Sequence, residues 1–135
     1  MKRGDQARAL EYALRATEIA PANPQCWSNL GLSHLQLRQF EESKLAYLRA
    51  ISVDPNRAEA YYSLGLAEMH LGEASAAADH LVQALTLKAE LRPQARHEFI
   101  SLVGHPGLAE WLAPEPVRPV RKAGRSRPKR KAPTR

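Results

Sequence analysis

An all-α architecture is predicted by three observations on this 135-residue chain: where its prolines fall, how its apolar residues are spaced, and how it repeats itself. The prolines, at 21, 24, 55, 93, 106, 114, 116, 119, 128 and 133, leave the stretches 5–20, 25–54 and 56–92 uninterrupted. Proline removes a backbone donor and clashes with the preceding turn, so those stretches are the ones free to be helical. Within them apolar residues return every three or four positions. Leu10, Ala13, Leu14, Thr17 and Ala20 share one face, Leu30, His34 and Leu37 repeat the spacing, and Leu64 with Leu71 and Leu81 with Leu85 continue it. That is the period of an amphipathic helix, and the period-two alternation of a strand is absent.

Displaced by 34 residues, the chain matches itself. Leu14-Arg15-Ala16 returns as Leu48-Arg49-Ala50, with Ala84 keeping the last place; Pro21 returns as Pro55; Leu30-Gly31-Leu32 returns as Leu64-Gly65-Leu66. Leu37 returns as Leu71, Trp27 is answered by Tyr61, and Tyr47 by Leu81. The chain reads as a repeat array.

Each element then follows from its punctuation. A first helix over 5–20 ends at Ala20-Pro21-Ala22-Asn23-Pro24. A second, over 25–37, is capped by Asn23 and carries Pro24 in its first turn, where a missing donor costs nothing. After the polar Arg38-Gln39 turn, a third over 41–53 opens on Glu41-Glu42, whose charge suits the positive end of a helix. Asp54-Pro55-Asn56 separates it from a fourth over 58–71, and Gly72 separates that from a fifth over 74–87. A sixth over 93–103 and a short segment over 107–112, following His105-Pro106, complete the set.

In this register the sequence resembles the tetratricopeptide repeat (TPR) family, whose unit is a 34-residue helix–turn–helix. Residues 24–57 carry Trp27, Leu30, Gly31, His34, Phe40, Ser43, Tyr47, Ala50 and Pro55 at the pattern positions, and 58–91 carry Tyr61, Leu64, Gly65, Ala77, Leu81 and Ala84. The second unit departs at Ala89, where the closing proline is missing. Residues 4–23 resemble the second half of a unit through Gly4, Ala9, Ala13, Ala16 and Pro21, and 92–103 resemble the capping helix that closes such arrays. The resemblance implies a short α-solenoid over 1–112 made of antiparallel helix pairs with a C-terminal capping helix.

The packing logic agrees. Gly31, Gly65, Ala50 and Ala84 let helix backbones approach, while Trp27, Tyr47, Tyr61 and Leu81 fill the space beside them. Helices of ~14 residues are marginal alone, so stability must come from stacking neighbours. The first helix then lacks the partner that the family would place before it. Two readings follow: the chain is a truncated array or its start is mis-assigned, or Leu10, Tyr12 and Leu14 form an open end through which copies self-associate.

In solenoids of this kind the first helix of each unit lines the concave surface. The resemblance therefore implies a groove built from Gln25, Ser28, Asn29, Leu32, Leu35 and Gln36, then Glu59, Tyr62, Ser63, Leu66, Met69 and His70, then Arg96, His97 and Ile100. Leu32, Leu66 and Met69 are apolar where a merely solvated face would prefer charge. A groove for an extended or helical peptide follows, apolar contacts dominating and Asn29, Tyr62 and Arg96 giving direction. The competing reading packs Leu32, Leu66 and Met69 against neighbouring helices. Some TPR grooves clamp a C-terminal carboxylate with Lys and Asn; Ser28, Leu32 and Tyr62 stand where several of those residues would be, which argues against a chaperone-tail clamp.

Catalytic and metal chemistry find no support. The histidines, at 34, 70, 80, 97 and 105, include no i, i+4 pair, and Cys26 has no second cysteine to join it. His34 occupies a position that is usually aromatic, and a packed, hydrogen-bonded imidazole is expected there. Ser33 and His34 are adjacent and so point to different helix faces, which excludes a nucleophile–base pair. No Gly-rich phosphate loop occurs. A non-enzyme without cofactor or metal is expected.

Charge is unevenly distributed. Residues 1–113 hold 11 Lys+Arg against 13 Asp+Glu, a net of −2, whereas 114–135 hold 9 against 1, a net of +8, so the overall +6 belongs to the last 22 residues. Proline interleaved with Arg118, Arg121, Lys122, Arg125, Arg127, Lys129, Arg130 and Lys131 cannot build a core, so 113–135 is expected to be a disordered basic tail. Such a tail attracts phosphate backbones by counterion release without reading sequence, and it would attract an anionic membrane surface or acidic protein equally. The plainer alternative is a solubilising tail with no ligand. No aromatic residue accompanies the charges, so base stacking is not indicated. No apolar run reaches the ~20 residues of a membrane span, and Met1-Lys2-Arg3-Gly4-Asp5 does not open a signal peptide. A reduced, cytoplasmic location is expected, or a nuclear one in a eukaryote, since Pro128-Lys129-Arg130-Lys131 resembles an import signal.

Three functions emerge: a protein-interaction adaptor holding a peptide segment; a nucleic-acid-associated factor whose tail contacts phosphates; and a piece of a larger TPR-containing protein. The second makes a measurable prediction. If the tail engages about five phosphates, log K for duplex DNA falls against log salt with a slope of about −4 to −5, and deleting 114–135 abolishes binding. Absence of binding at ~50 mM salt would retire it.

Overall fold

A computed structural model describes residues 3–102 and 104–113 of the chain. Apart from Ala113, the basic segment 113–135, and with it every tail residue singled out above, lies outside the described residues. The helices are α1 (Arg3–Ile19), α2 (Pro24–Gln36), α3 (Phe40–Val53), α4 (Ala58–His70), α5 (Ala74–Leu87), α6 (Arg92–Glu98) and α7 (Ala109–Leu112), with short 3-10 turns at Ala89–Leu91 and Ile100–Leu102. From α1 to α5 each helix packs against the next as an antiparallel neighbour, and α6 follows through the turn at Ala89–Leu91, giving an all-α solenoid.

Local chemistry sets the boundaries. Asn23 Oδ1 accepts from the Gln25 amide at 2.9 Å and Pro24 occupies the first turn of α2. At the other end of α2, Arg38 N–H donates to Leu35 O and Gln39 N–H donates to His34 O at 2.8 Å. Thirty-four residues later Gly72 N–H donates to Met69 O and Glu73 N–H donates to Glu68 O at 2.9 Å. Both ends are the same Schellman stop, which needs a left-handed residue just past the cap. Gly72 takes φ +80° without penalty, while Arg38 takes φ 60° with a side chain in place.

The core is a chain of linked clusters. Ala13, Leu30 and Ala46 form the first, Tyr47, Ala50, Ala60 and Leu64 the second, and Tyr61, Leu81, Leu85, Phe99, Leu108 and Leu112 belong to the third. Trp27 packs against both the first and second, and Ile51 against both the second and third. Trp27 also donates from Nε1 to the Pro21 carbonyl at 2.8 Å, fixing α2 to the turn before it. His34 is half-buried and its Nδ1 lies 2.8 Å from Gln39 Oε1.

Gly31 is where α2 and α3 come closest to collision. A Cβ there would lie 2.7–2.9 Å from three ring atoms of Tyr47, and the buried Ser43 hydroxyl donates to the Gly31 carbonyl at 2.8 Å. Gly65 differs. Its neighbours are the Ala77 carbonyl and the ring of Phe99, each at 3.3 Å, so the ring filling the second notch comes from beyond the repeats and not from Leu81.

The sixth helix is shorter than its sequence predicts. An α-helix over 93–103 was expected; α6 stops at Glu98, Phe99 leaves helical geometry at φ −105° and ψ 32°, and a 3-10 turn follows. Phe99 is completely buried against Gly65 and Tyr62, and that anchoring sets where the helix ends. Along α1, Tyr12 (63%), Leu14 (44%) and Ile19 (82%) are exposed, whereas Leu10 packs half-buried against the first cluster. Among the described residues no helix is long and apolar enough to cross a membrane.

The two glycines should respond differently to alanine. At Gly31 the overlap with a pinned ring outweighs the gain in helix propensity, so Gly31→Ala should destabilise by about 1–2 kcal/mol. At Gly65 the tighter contact and the propensity gain oppose each other, and Gly65→Ala should stay within about 1 kcal/mol of wild type. Urea unfolding followed by circular dichroism measures both; a Gly31→Ala protein as stable as wild type would refute the close-approach account.

Candidate peptide-binding groove

Clefts run along the face shared by α2 and α4. One, of about 410 Å³, is lined by Gln25, Ser28, Asn29 and Leu32 of α2 and by Arg57, Glu59, Ala60 and Ser63 at the start of α4, with Tyr47 from α3. A second, of about 330 Å³, lies further along both helices between Leu35, Leu66, Met69 and His70, and is closed by Arg38, Phe40 and Glu98. A third, of about 520 Å³, separates α1 from α2 and shares Asn29 and Leu32 with the first. Leu32, 45% exposed, is thus the ridge between two clefts.

Most residues lining the first cleft carry polar groups, although most of its surface is apolar. Gln25 Nε2 donates to Asn29 Oδ1 at 2.9 Å, and Gln25 Oε1 accepts from Arg57 Nη2 at 2.6 Å. Ser28 Oγ and Arg57 Nε are both buried and have no hydrogen-bond partner. Lys88 Nζ lies 2.6 Å from Glu59 Oε2, and this hydrogen bond holds the Glu59 carboxyl below its ordinary pKa. Burial pushes the Tyr47 phenol upward, against a smaller opposing effect from its hydrogen bond with Ser63.

The second cleft has an aromatic wall. Phe40 and His70 stack with ring centroids 4.4 Å apart and planes 7° apart, and the Arg38 guanidinium sits 5.2 Å from the Phe40 centroid. Leu66 and Met69 are half-buried: they line the cleft and also pack against the third core cluster.

Two groove residues inferred from the sequence lie elsewhere. Tyr62 is buried, its ring meets Phe99 edge-on at 5.3 Å, and its hydroxyl donates to Glu98. Burial first, then Glu98, raises its pKa. It fastens α4 to α6 and has no hydroxyl left to orient a guest. Arg96 points away from the clefts: Nε donates to the Leu112 carbonyl and Nη2 to the Ala113 carbonyl, both at 3.2 Å, so its guanidinium caps the end of α7. His97 and the 67%-exposed Ile100 line none of these three clefts. Conversely, Arg57, Tyr47, Arg38, Phe40 and Glu98 line clefts without having been singled out for it. Arg57 precedes α4, outside the helical positions a per-repeat pattern inspects, although its residue type beside Asp54-Pro55-Asn56 was a visible signal.

Hydroxyls, amides and one guanidinium around leucine and alanine can hydrogen-bond and desolvate a chain segment; they supply no nucleophile with an adjacent base. Among the described residues no group of three or more His, Cys, Asp or Glu is placed to hold a metal ion.

Comparisons with known proteins agree with this architecture. The chain is 35% identical over 83 residues to the peroxisomal targeting signal receptor of Eremothecium gossypii, a match spanning 62% of this chain and 15% of that protein. It is 31% identical over 80 residues to the receptor of the same name from Candida glabrata, spanning 59% of this chain and 14% of that one. The chain therefore spans only about a seventh of these curated relatives. Among solved structures it is similar to the first TPR of Spaghetti (RPAP3) bound to the HSP90 peptide SRMEEVD, with TM-score 0.67 and 19% identity, covering 76% of this chain and 83% of that one. It is also similar to the crystal structure of MamA, with TM-score 0.68 and 24% identity, covering 81% of this chain and 66% of that one. These likenesses are of fold. The model of the tetratricopeptide repeat family matches residues 28–96, about half of the sequence and the part that builds α2 to α6, and the chain belongs to that family.

Proposed function

We propose that the α2/α4 face holds a peptide segment of another protein, so that the chain acts as a non-catalytic interaction adaptor. The observation carrying this reading is the run of clefts along these helices: Asn29 and Leu32 line two of them, and a separate one lies further along α2 and α4 at Leu35 and Leu66. An exposed leucine ridge flanked by polar groups suits an extended or helical guest, whose side chains alternate between apolar contact and hydrogen bonding. Support also comes from similar proteins, one solved with an HSP90 peptide and others named as targeting signal receptors. The groove residues proposed to contact the guest are Gln25, Ser28, Asn29, Leu32, Leu35, Leu66, Met69 and His70.

Leu32 and Leu66 separate binding from folding. Leu32→Asp puts a charge on an exposed ridge, so it should weaken capture of array-selected peptides at least about tenfold while leaving the helical spectrum and unfolding midpoint unchanged. Leu66→Ala should weaken binding and also lower stability by about 2 kcal/mol, because half of that side chain is core. Fluorescence anisotropy and urea unfolding on the same preparations measure both. Unchanged affinity in Leu32→Asp would overturn the groove.

A further inference from the structure

We infer that the cleft between α2 and α4 is a subsite for the side-chain carboxylate of an Asp or Glu within the guest segment, received by Arg57 and Ser28. This rests on the groove reading above and adds the chemistry the groove selects.

Ser28 carries the first part of the argument. A serine or threonine hydroxyl in a helix can return to a carbonyl three or four residues back or bond to a neighbouring helix, as Ser43 does to Gly31. Thr17 returns to Leu14, Ser52 to Arg49 and Thr86 to Val82, at 2.7–2.8 Å. Ser28 does neither, and its Oγ is buried at the cleft with no partner. A buried polar atom left unpaired costs about 1–3 kcal/mol, and such a group calls for an explanation.

Arg57 carries the second. Its Nη2 is engaged by Gln25, while Nε is buried and unpartnered in the same cleft. The one carboxylate lining that cleft, Glu59, is bound by Lys88 just after α5, although Arg57 also acts on it through space. Arg57 and Glu59 are the charged residues lining the cleft, and Lys88, whose hydrogen bond already engages the Glu59 carboxylate, lies outside that lining. The guanidinium needs an acceptor and the hydroxyl can donate to the same group; a carboxylate accepts through two oxygens and also carries the charge complementary to Arg57, which a backbone carbonyl or a neutral amide does not. A lysine would meet the Arg57 cation. Because a neighbouring cleft toward α1 shares Asn29 and Leu32 with this one, and another lies further along both helices at Leu35 and Leu66, the acid is assigned to a segment that extends beyond this cleft.

The test is a positional-scanning array of N-acetylated decapeptides, made both with amidated and with free C-termini, probed with the full chain. Asp and Glu should be enriched at one interior position in both sets, and Asn or Gln there should bind about tenfold more weakly. Arg57→Gln should erase that enrichment and keep the apolar preferences; Ser28→Ala, which removes only one donor, should reduce it. Raising salt from 0.05 to 0.5 M should shrink the acid preference of the wild type. Enrichment confined to free C-termini, enrichment that survives Arg57→Gln in a protein with native circular dichroism, or apolar binding with no acid preference would each overturn the subsite while leaving the groove standing. An array on which nothing binds would instead overturn the groove reading itself.

Discussion

Tyr47 lies with its ring against the bare backbone of Gly31, while Ser43 from the same helix donates to the Gly31 carbonyl. One contact is a steric fit and the other a directional bond; together they fix how deeply α3 sits behind α2. The same Tyr47 lines the cleft between α2 and α4. The residue that spaces one helix pair is therefore also part of the surface proposed to receive a guest. A side chain at position 31 would push the ring, and the cleft would change shape with it. Fold and candidate site share that dependence, and neither can be altered alone at this point.

Cohesion beyond that pair is passed from unit to unit. Trp27 and Ile51 each touch two clusters, so the core is continuous although no single residue spans it. Ion pairs follow the same neighbour-to-neighbour logic: Lys44 on α3 meets Glu73 before α5, and Glu59 on α4 meets Lys88 after α5, each at 2.6 Å. Pairs of this exposure add little to stability but favour one register of the helices over others. The buried exception is Glu68, 1% exposed, with His80 Nδ1 2.7 Å from its carboxylate. A carboxylate so placed would be costly without that partner, which ties α4 to α5 at the third cluster.

What the sequence makes legible is what the 34-residue spacing governs. The matched Schellman stops at Arg38 and Gly72, the Asn23 cap and the Gly31 notch all sit where a copy elsewhere in the chain, or a local rule, predicts them. Illegible are contacts made where the repetition ends. Phe99 fills the Gly65 notch, Glu98 accepts from Tyr62, and Arg96 holds the end of α7, because the residues after 91 have no earlier copy to be compared with. Tyr62 illustrates the limit: its position in the repeat is a groove position, and only the arrival of α6 turns it inward. The clefts suffer likewise, since Arg57 and Arg38 act from turns, where periodicity carries no information.

Three departures from local consistency fall on residues that line the clefts. Leu32 is apolar and exposed, Ser28 is polar and unsatisfied, and Arg38 adopts a left-handed backbone that the equivalent Gly72 adopts freely. For a residue with a Cβ that conformation costs roughly 1–2 kcal/mol, so glycine at position 38 would serve folding better. What arginine provides there is a guanidinium over the Phe40 ring at the edge of the second cleft, a placement with no evident use to the core. Chains ordinarily agree with themselves from propensity to packing, and disagreement is expected where another demand is met. These disagreements, of exposure, hydrogen bonding and backbone, are each ones that a guest held in the clefts would resolve or use, which is the reading proposed above.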